Sequence, residues 1–323
     1  MPPSEARTRS DDPLISLVVP VLDEEDCVDE FARRAREAAE RAGVRYEILF
    51  IDDGSRDATP DRIARLRESD PNVKTIRFTR SFGHQAALAA GLRYAGGDAV
   101  VTLDGDLQHP PELLGELLAH WRRGAEVVHT LRREPLQERA SWKHRFGRLF
   151  YRVISLLSAV PMPAGSADFR LIDRVVVDRF NALGEHFVFV RGLIPWLGFR
   201  DAHVEYQASE RFAGRTKYSP ARMTRLALNG IFSFSILPLR LISLLGLATT
   251  LFGVLFGIFW LVSYLLGRVD ASNFTSLVIL ILIFGGVQLL SIGIVSEYVG
   301  RTYEEVKRRP RYVIDSTGGI DAS

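Results

Sequence analysis

Between residues 14 and 104, short apolar runs rich in β-branched residues alternate with longer segments whose apolar positions recur every three or four residues. ISLVVPVL at 15–22 reads as a strand, and DEEDCVDEFARRAREAAERAG after it as an amphipathic helix. Acids fill its first turn, Val28, Phe31, Ala35 and Ala39 share one face, and Gly43 ends it. The pattern continues with YEILFID at 46–52, a helix opening at Thr59 and Pro60, VKTIRFT at 73–79, a helix through AALAAGLRYA, and AVVTLD at 99–104. Such alternation predicts an α/β fold with a mainly parallel sheet covered by helices. Ligands of such sheets sit beyond the carboxyl ends of the strands.

The pattern changes near residue 236. No charged residue occurs at 241–267 or at 271–296, and a bilayer core is crossed by about 20 apolar residues in a helix. Apolar on all sides, these runs predict a C-terminal two-helix transmembrane hairpin, about 238–267 and 273–298. Arg222, Arg225 and Arg240 precede it and Arg301, Lys307, Arg308, Arg309 and Arg311 follow, whereas the connection GRVDAS holds one Arg and one Asp. The positive-inside rule puts both ends in the cytoplasm. The expected organisation is an N-terminus at 1–13, a cytoplasmic domain at 14–218, a juxtamembrane amphipathic helix at 219–236, the hairpin at 237–298 and a basic tail at 299–323. Gly253 and Gly257, with Gly285, Gly286 and Gly293, offer close packing within the hairpin or between copies in a homo-oligomer.

Composition narrows the function. Lys and Arg total 41 against 39 Asp and Glu, a balance that argues against a polyanion reader such as a nucleic-acid-binding protein. Cys27 is the lone cysteine, so an internal disulfide and a cysteine zinc cluster are excluded and a reducing compartment is expected. The first dozen residues lack the apolar core of a signal peptide. No GxGxxG follows the first strand and no GxxxxGK[ST] occurs, which removes the main signatures of dinucleotide dehydrogenases and P-loop phosphotransferases.

The strand ends are acidic instead. YEILFID closes on Asp52 and Asp53, and AVVTLD leads into Asp104 and Asp106 of DGDLQHPPE. Two carboxylates one residue apart can hold Mg²⁺ or Mn²⁺ together with phosphate oxygens, and Gln108 is a third candidate ligand. The same letters also spell a tight turn, and Asp52–Asp53 a turn with a helix cap. Two acidic strand ends on the ligand edge of one sheet favour the chemical reading.

The ordered segments PVLDEED, IDDGS, RSFGHQAALAAGL, DGDLQHPPE, SADFRLIDR, FVRGLIPWLGF, ERFAGRTKYSP and EYVGRTYEEVKRRPRY resemble family-2 glycosyltransferases of the polyprenyl-phosphate type, similar to dolichyl-phosphate mannose synthases and bactoprenol glucosyltransferases. The resemblance spans about residues 14–313 and implies the nucleotide-sugar-binding glycosyltransferase fold, a nucleotide-sugar donor and a polyprenyl phosphate acceptor. It carries donor contacts onto Pro20, Leu22, Glu24, Asp52, Asp53, Asp104 and Gln108, with Arg211 and Lys217 in a loop closing over the diphosphate. The family's Tyr-Asn-Glu is here Leu22-Asp23-Glu24, so a stacking Tyr is absent. His84 and Gln85 are weaker donor candidates.

For the acceptor phosphate the candidates are Arg132 and Arg133, which follow the strand EVVHTL, and Arg139, Lys143, Arg145, Arg148 and Arg152, on an amphipathic segment with Trp142, Phe146, Leu149, Phe150 and Ile154, joined by Arg170 of SADFRL. Asp168 is the expected base or charge-orienting group, beside Asp104 and Asp106 as catalytic residues. The implied reaction is inverting displacement at the anomeric carbon, with UDP-glucose the favoured donor and GDP-mannose or a modified UDP-sugar the alternatives. A processive polysaccharide synthase would carry QxxRW and more spans; a membrane scaffold would not need the acids.

Overall fold

The computed structural model describes residues 9–132, 166–185, 189–206, 237–266 and 274–320, in two compact units. The first unit is built on one sheet. Its elements are β1 (Leu14–Val21), α1 (Val28–Ala42), β2 (Arg45–Asp52), α2 (Thr59–Ser69), β3 (Val73–Phe78), α3 (His84–Tyr94), β4 (Ala99–Thr102), α4 (Leu114–Arg122), β5 (Val127–Arg132), β6 (Ser166–Asp173), α5 (Arg174–Asn181), α6 (Val190–Trp196), β7 (Asp201–Tyr206) and β8 (Ile314–Gly318). The second unit holds α7 (Leu237–Leu265) and α8 (Phe274–Lys307).

The strand order is β7-β5-β6-β4-β1-β2-β3-β8. β4, β1, β2 and β3 run parallel, as the alternating pattern requires, and β5 and β7 form a further parallel pair. β6 runs antiparallel between β4 and β5, and β8 antiparallel along β3. Neither strand is legible as part of the alternation: β6 follows the long segment after β5, and β8 comes from the expected basic tail, beyond α8.

Local chemistry accounts for the elements. α1 carries Asp29 and Glu30 in its first turn, where the helix dipole favours acids, and stops at Gly43, whose φ of 62° suits glycine. Its buried face, including Phe31, Ala35 and Ala39, meets Leu17, Val19 and Phe50 of the sheet and Trp121 of α4 in the larger core. On the other sheet face α3 packs so closely that a Cβ on Gly91 would stand 2.1 Å from Val18 Cγ1. A buried strap closes the core's edge: Trp121 Nε1 donates to Asp173 at 2.7 Å, and Arg9 lies over the indole.

α7 and α8 match the two apolar runs. The 29 residues of α7 span about 43 Å, more than a hydrocarbon core of roughly 30 Å. Large apolar side chains along it are bare, among them Leu247, Phe259 and Leu265, and among the described residues nothing buries the apolar window of either helix.

Candidate active site

Three acidic segments at the carboxyl edge of the sheet are gathered by one loop, Arg80–Gly83, and the first turn of α3. Asp53, 4% exposed, accepts hydrogen bonds from Ser81 Oγ at 2.7 Å, Phe82 N at 2.7 Å and Gly83 N at 3.0 Å. His84 Nε2 stands 3.0 Å from Asp104 Oδ1, and Gln85 Nε2 reaches Asp168 Oδ2 at 3.4 Å. Gln85 Oε1 accepts from Val190 N at 2.8 Å, which ties α6 to the same turn. The loop approaches the Asp53 turn so tightly that a Cβ on Gly54, whose φ is 78°, would lie 2.6 Å from the Arg80 carbonyl carbon.

The β1–α1 and β2–α2 turns are locked together. Asp23, with φ of 53°, takes Arg56 N on its carboxylate at 2.8 Å and donates its own N–H to Ser55 Oγ at 3.0 Å. Asp and Asn are the non-glycine residues that best tolerate this backbone. Glu24 N–H donates to Thr59 Oγ1 at 2.9 Å at the head of α2. Pro20 lies in register with Ile51, and Leu22 opens onto a cavity of about 560 Å³.

That cavity is lined by Gly54, Arg56, Arg77, Arg80 and Asp315, among others. Asp52 stands beside it at the end of β2. Its Oδ1 accepts from Ser55 N at 2.8 Å, while among the described residues the buried Oδ2 meets no hydrogen-bond donor, its cationic neighbour being Arg77 Nε at 3.4 Å. A carboxylate oxygen at this position can accept an N–H or O–H of a ligand.

Asp104 and Asp106 lie past the end of β4, in a turn where Leu107 takes a φ of 62°. Their carboxylates are therefore presented by a loop rather than by a strand. Asp106 Oδ1 accepts from Gln108 N at 3.1 Å. Asp104 N–H donates to Nδ1 of His109 at 3.0 Å. Since that nitrogen is the acceptor, it has no proton for Asp104 Oδ2 at 3.4 Å, and the pair is not an ion pair. His109, buried against Phe169, thus fixes the Asp104 backbone.

Among the described residues no cluster of three His, Cys, Asp or Glu is placed to hold a metal by itself. Two half-exposed carboxylates in one turn fit a hard divalent cation that takes its remaining ligands from substrate phosphates and water, the habit of Mg²⁺ and Mn²⁺ with nucleotides.

Asp168 is buried between two guanidinium groups. Arg191 Nε and Nη2 reach it at 3.1 and 2.8 Å, and Arg170 Nη2 lies at 3.4 Å. Burial alone would raise its pKa, but the charges of Arg191 and Arg170 outweigh that and hold it well below the usual carboxylate range. Burial lowers Arg170 to about 10, partly offset by Asp168. Asp168 is thus a permanent anion that orients two cations, not a group awaiting a proton. Thr102 Oγ1 of β4 donates to the Asp168 carbonyl.

Arg56, Arg77, Arg80, His109 and Arg191 escaped the sequence reading. Arg77 reads there only as an alternating strand position, and Arg191 stands within FVRGL with no neighbour to signal a partner on β6. The side chain of Arg132, and Arg133, Arg139, Lys143, Arg145, Arg148, Arg152, Arg211 and Lys217, lie outside the described residues.

An open, mainly parallel sheet with acids and arginines gathered at its carboxyl edge defines an α/β fold with a polar candidate site at the strand ends. The chain belongs to glycosyl transferase family 2, whose model matches residues 16–180. It is 40% identical over 308 residues to the uncharacterized glycosyltransferase YkcC of Bacillus subtilis (strain 168), covering 95% of this chain and 94% of that one. It is also 40% identical over 300 residues to the SfII prophage-derived bactoprenol glucosyl transferase of Shigella flexneri, covering 93% and 97%. Among solved structures, glucosyl-3-phosphoglycerate synthase from Mycobacterium tuberculosis, in complex with Mn²⁺, UDP and glucosyl-3-phosphoglycerate, superposes with a TM-score of 0.49 at 20% identity over 68% of this chain and 79% of that one.

Proposed function

We propose that this glycosyltransferase moves a hexose from a nucleotide-sugar, with UDP-glucose the favoured donor, onto the phosphate of a polyprenyl lipid at the cytoplasmic membrane face. Near full-length similarity to bactoprenol glucosyl transferases supports the acceptor class. The observation that carries the donor site is the joint anchoring of Asp53, Asp104 and Asp168 by residues 81–85 beside an arginine-lined cavity.

The nucleoside occupies that cavity, and Asp52 Oδ2 takes a ring N–H of the base. Asp104 and Asp106 would hold a divalent cation, which would supply Lewis-acid stabilisation of the charge that develops on the leaving group. His84 and His109 keep Asp104 in place from its side chain and its backbone.

The acceptor is already a nucleophile, since a phosphomonoester is largely dianionic above pH ~6. Its oxygen bonds to the anomeric carbon as the bond from that carbon to the diphosphate oxygen breaks, and the nucleoside diphosphate leaves with the electron pair. The step inverts the anomeric carbon and transfers no proton. Arg191 and Arg170, aimed by Asp168, supply positive potential on the acceptor side of the site.

The test is transfer of radiolabel from a panel of UDP- and GDP-sugars to polyprenyl phosphate in membranes, for wild type and Asp106→Asn, with and without chelator. A chloroform-soluble, acid-labile product that requires the metal and Asp106 is expected, strongest with UDP-glucose. No lipid-linked product from any donor would overturn the proposal; a product from GDP-mannose alone would replace the donor.

A further inference from the structure

The β3 side of the sheet is completed by a strand from the far end of the chain. β8 follows α8 in the chain and lies antiparallel along β3. Four contacts seat it: Ser316 pairs with Arg77 and Ile314 with Phe78, the ring of Tyr312 stacks on Phe78 at 4.9 Å, and Thr79 N–H donates to the Val313 carbonyl at 3.1 Å. Between the pairs Phe78–Ile314 and Arg77–Ser316 one residue is left over on β8, and it is Asp315. A bulge of this kind re-aims the side chain of the extra residue. Here that residue is exposed and lines the arginine-rich cavity.

An acid in a pocket for a diphosphate-bearing ligand is repelled by the phosphates and is tolerated only where the ligand presents N–H or O–H groups. Strands are spaced about 4.8 Å apart, so β8, four strand steps from β4, stands roughly 19 Å from the turn of Asp104 and Asp106. A hexose and diphosphate held at that turn leave the nucleoside as the part of the donor near Asp315. We propose that Asp315 is a donor-selecting residue that accepts a hydrogen bond from a nucleoside hydroxyl or base N–H, so that the C-terminal strand forms one wall of the nucleotide site. The inference rests on the donor reading above. Its consequence is that the chain beyond the second apolar helix takes part in donor binding.

The experiment is titration of the detergent-solubilised full-length protein with UDP, 2′-deoxy-UDP and GDP by calorimetry, with donor KM and kcat in parallel, for wild type, Asp315→Ala, Asp315→Asn and Thr317→Ala. Thr317 shares the strand but not the cavity lining. Asp315→Ala is expected to weaken the preferred nucleotide and raise donor KM about tenfold with kcat within twofold, while Thr317→Ala changes neither. The ligand group bound by Asp315 is the one whose removal weakens wild type but not Asp315→Ala. Equal losses in Asp315→Ala and Thr317→Ala would make β8 merely structural and overturn the inference, as would unchanged affinity in Asp315→Ala. Failure of wild type to bind any nucleoside diphosphate would instead overturn the donor site itself.

Discussion

Asp168 and Asp104 are both carboxylates at the sheet edge, yet burial assigns them different work. Asp168 is 7% exposed, and its loss removes an anion from beside Arg170, which is 1% exposed. Removing one partner of a buried ion pair costs about 3–5 kcal/mol, so Asp168→Asn should lower the melting temperature as well as turnover. Arg191→Lys, which cannot offer the two-pronged contact, should keep the fold and lose acceptor affinity. Asp104→Asn and Asp106→Asn should each lower kcat by about a hundredfold or more, with thermal unfolding in detergent nearly unchanged. A melting shift for Asp104→Asn as large as that for Asp168→Asn would refute this division. His129 makes a separate prediction. Burial, with Arg170 and His203 beside it, lowers its pKa to about 3, against about 6.5 when unfolded. A depressed pKa means that its stabilising contribution is complete above pH ~6.5 and fades as pH falls towards 3, about 2 kcal/mol being lost by pH 5. Glu47 and Asp168, both with lowered pKa, lose their contributions only under stronger acid. His129→Leu should therefore flatten the decline in melting temperature between pH 6.5 and 5, and an unchanged slope would count against that assignment.

At the level of elements, the loop before α3 is the part on which the site depends. Gly54→Ala would force a Cβ against the Arg80 backbone at a positive φ, displacing the loop that Asp53 holds. Strain of this kind costs about 1–3 kcal/mol. Since the same loop leads into His84 and Gln85, donor KM and kcat should both worsen, whereas Gly115→Ala on α4, with open space around it, should alter neither. This dependence marks how far the sequence could be read. The parallel strands and their helices were legible because each is a local apolar pattern, and the acids at their ends because strand ends can be counted. That Asp53 would fasten a loop some 30 residues away was not, since either turn alone reads the same without its partner. β6 and β8 were hidden for a related reason: antiparallel pairing across a long connection leaves no local period, and a five-residue strand bearing Asp315 and Ser316 resembles a polar tail. Arg191 and Arg170 each read as isolated cations until the fold sets both on Asp168.

For the whole molecule, the second unit is two helices long and apolar enough to cross a membrane. The charge-free part of α8 runs from Phe274 to Ser296, beyond which Glu297, Arg301, Glu304 and Glu305 return it to water. In the proposed arrangement, a hairpin of α7 and that part of α8 would bring both flanks to one side of the bilayer, and their excess of Arg and Lys would select the cytoplasmic side. The native thiol makes the test simple. Cys27 is 1% exposed, and burial, with Glu24, Asp106 and Asp26 nearby, raises its pKa to about 11, so it stays protonated and poorly reactive. The wild-type chain is thus a nearly silent background for maleimide labelling. Ser272→Cys in the connection between the helices should react with a membrane-impermeant maleimide in intact cells. Ser316→Cys on β8 should react only after the membrane is opened. The reverse pattern would invert the protein, place the donor pocket away from cytoplasmic nucleotide-sugars and remove the basis for the proposed reaction. Labelling of both positions in intact cells would mean that the helices do not cross the bilayer as a hairpin.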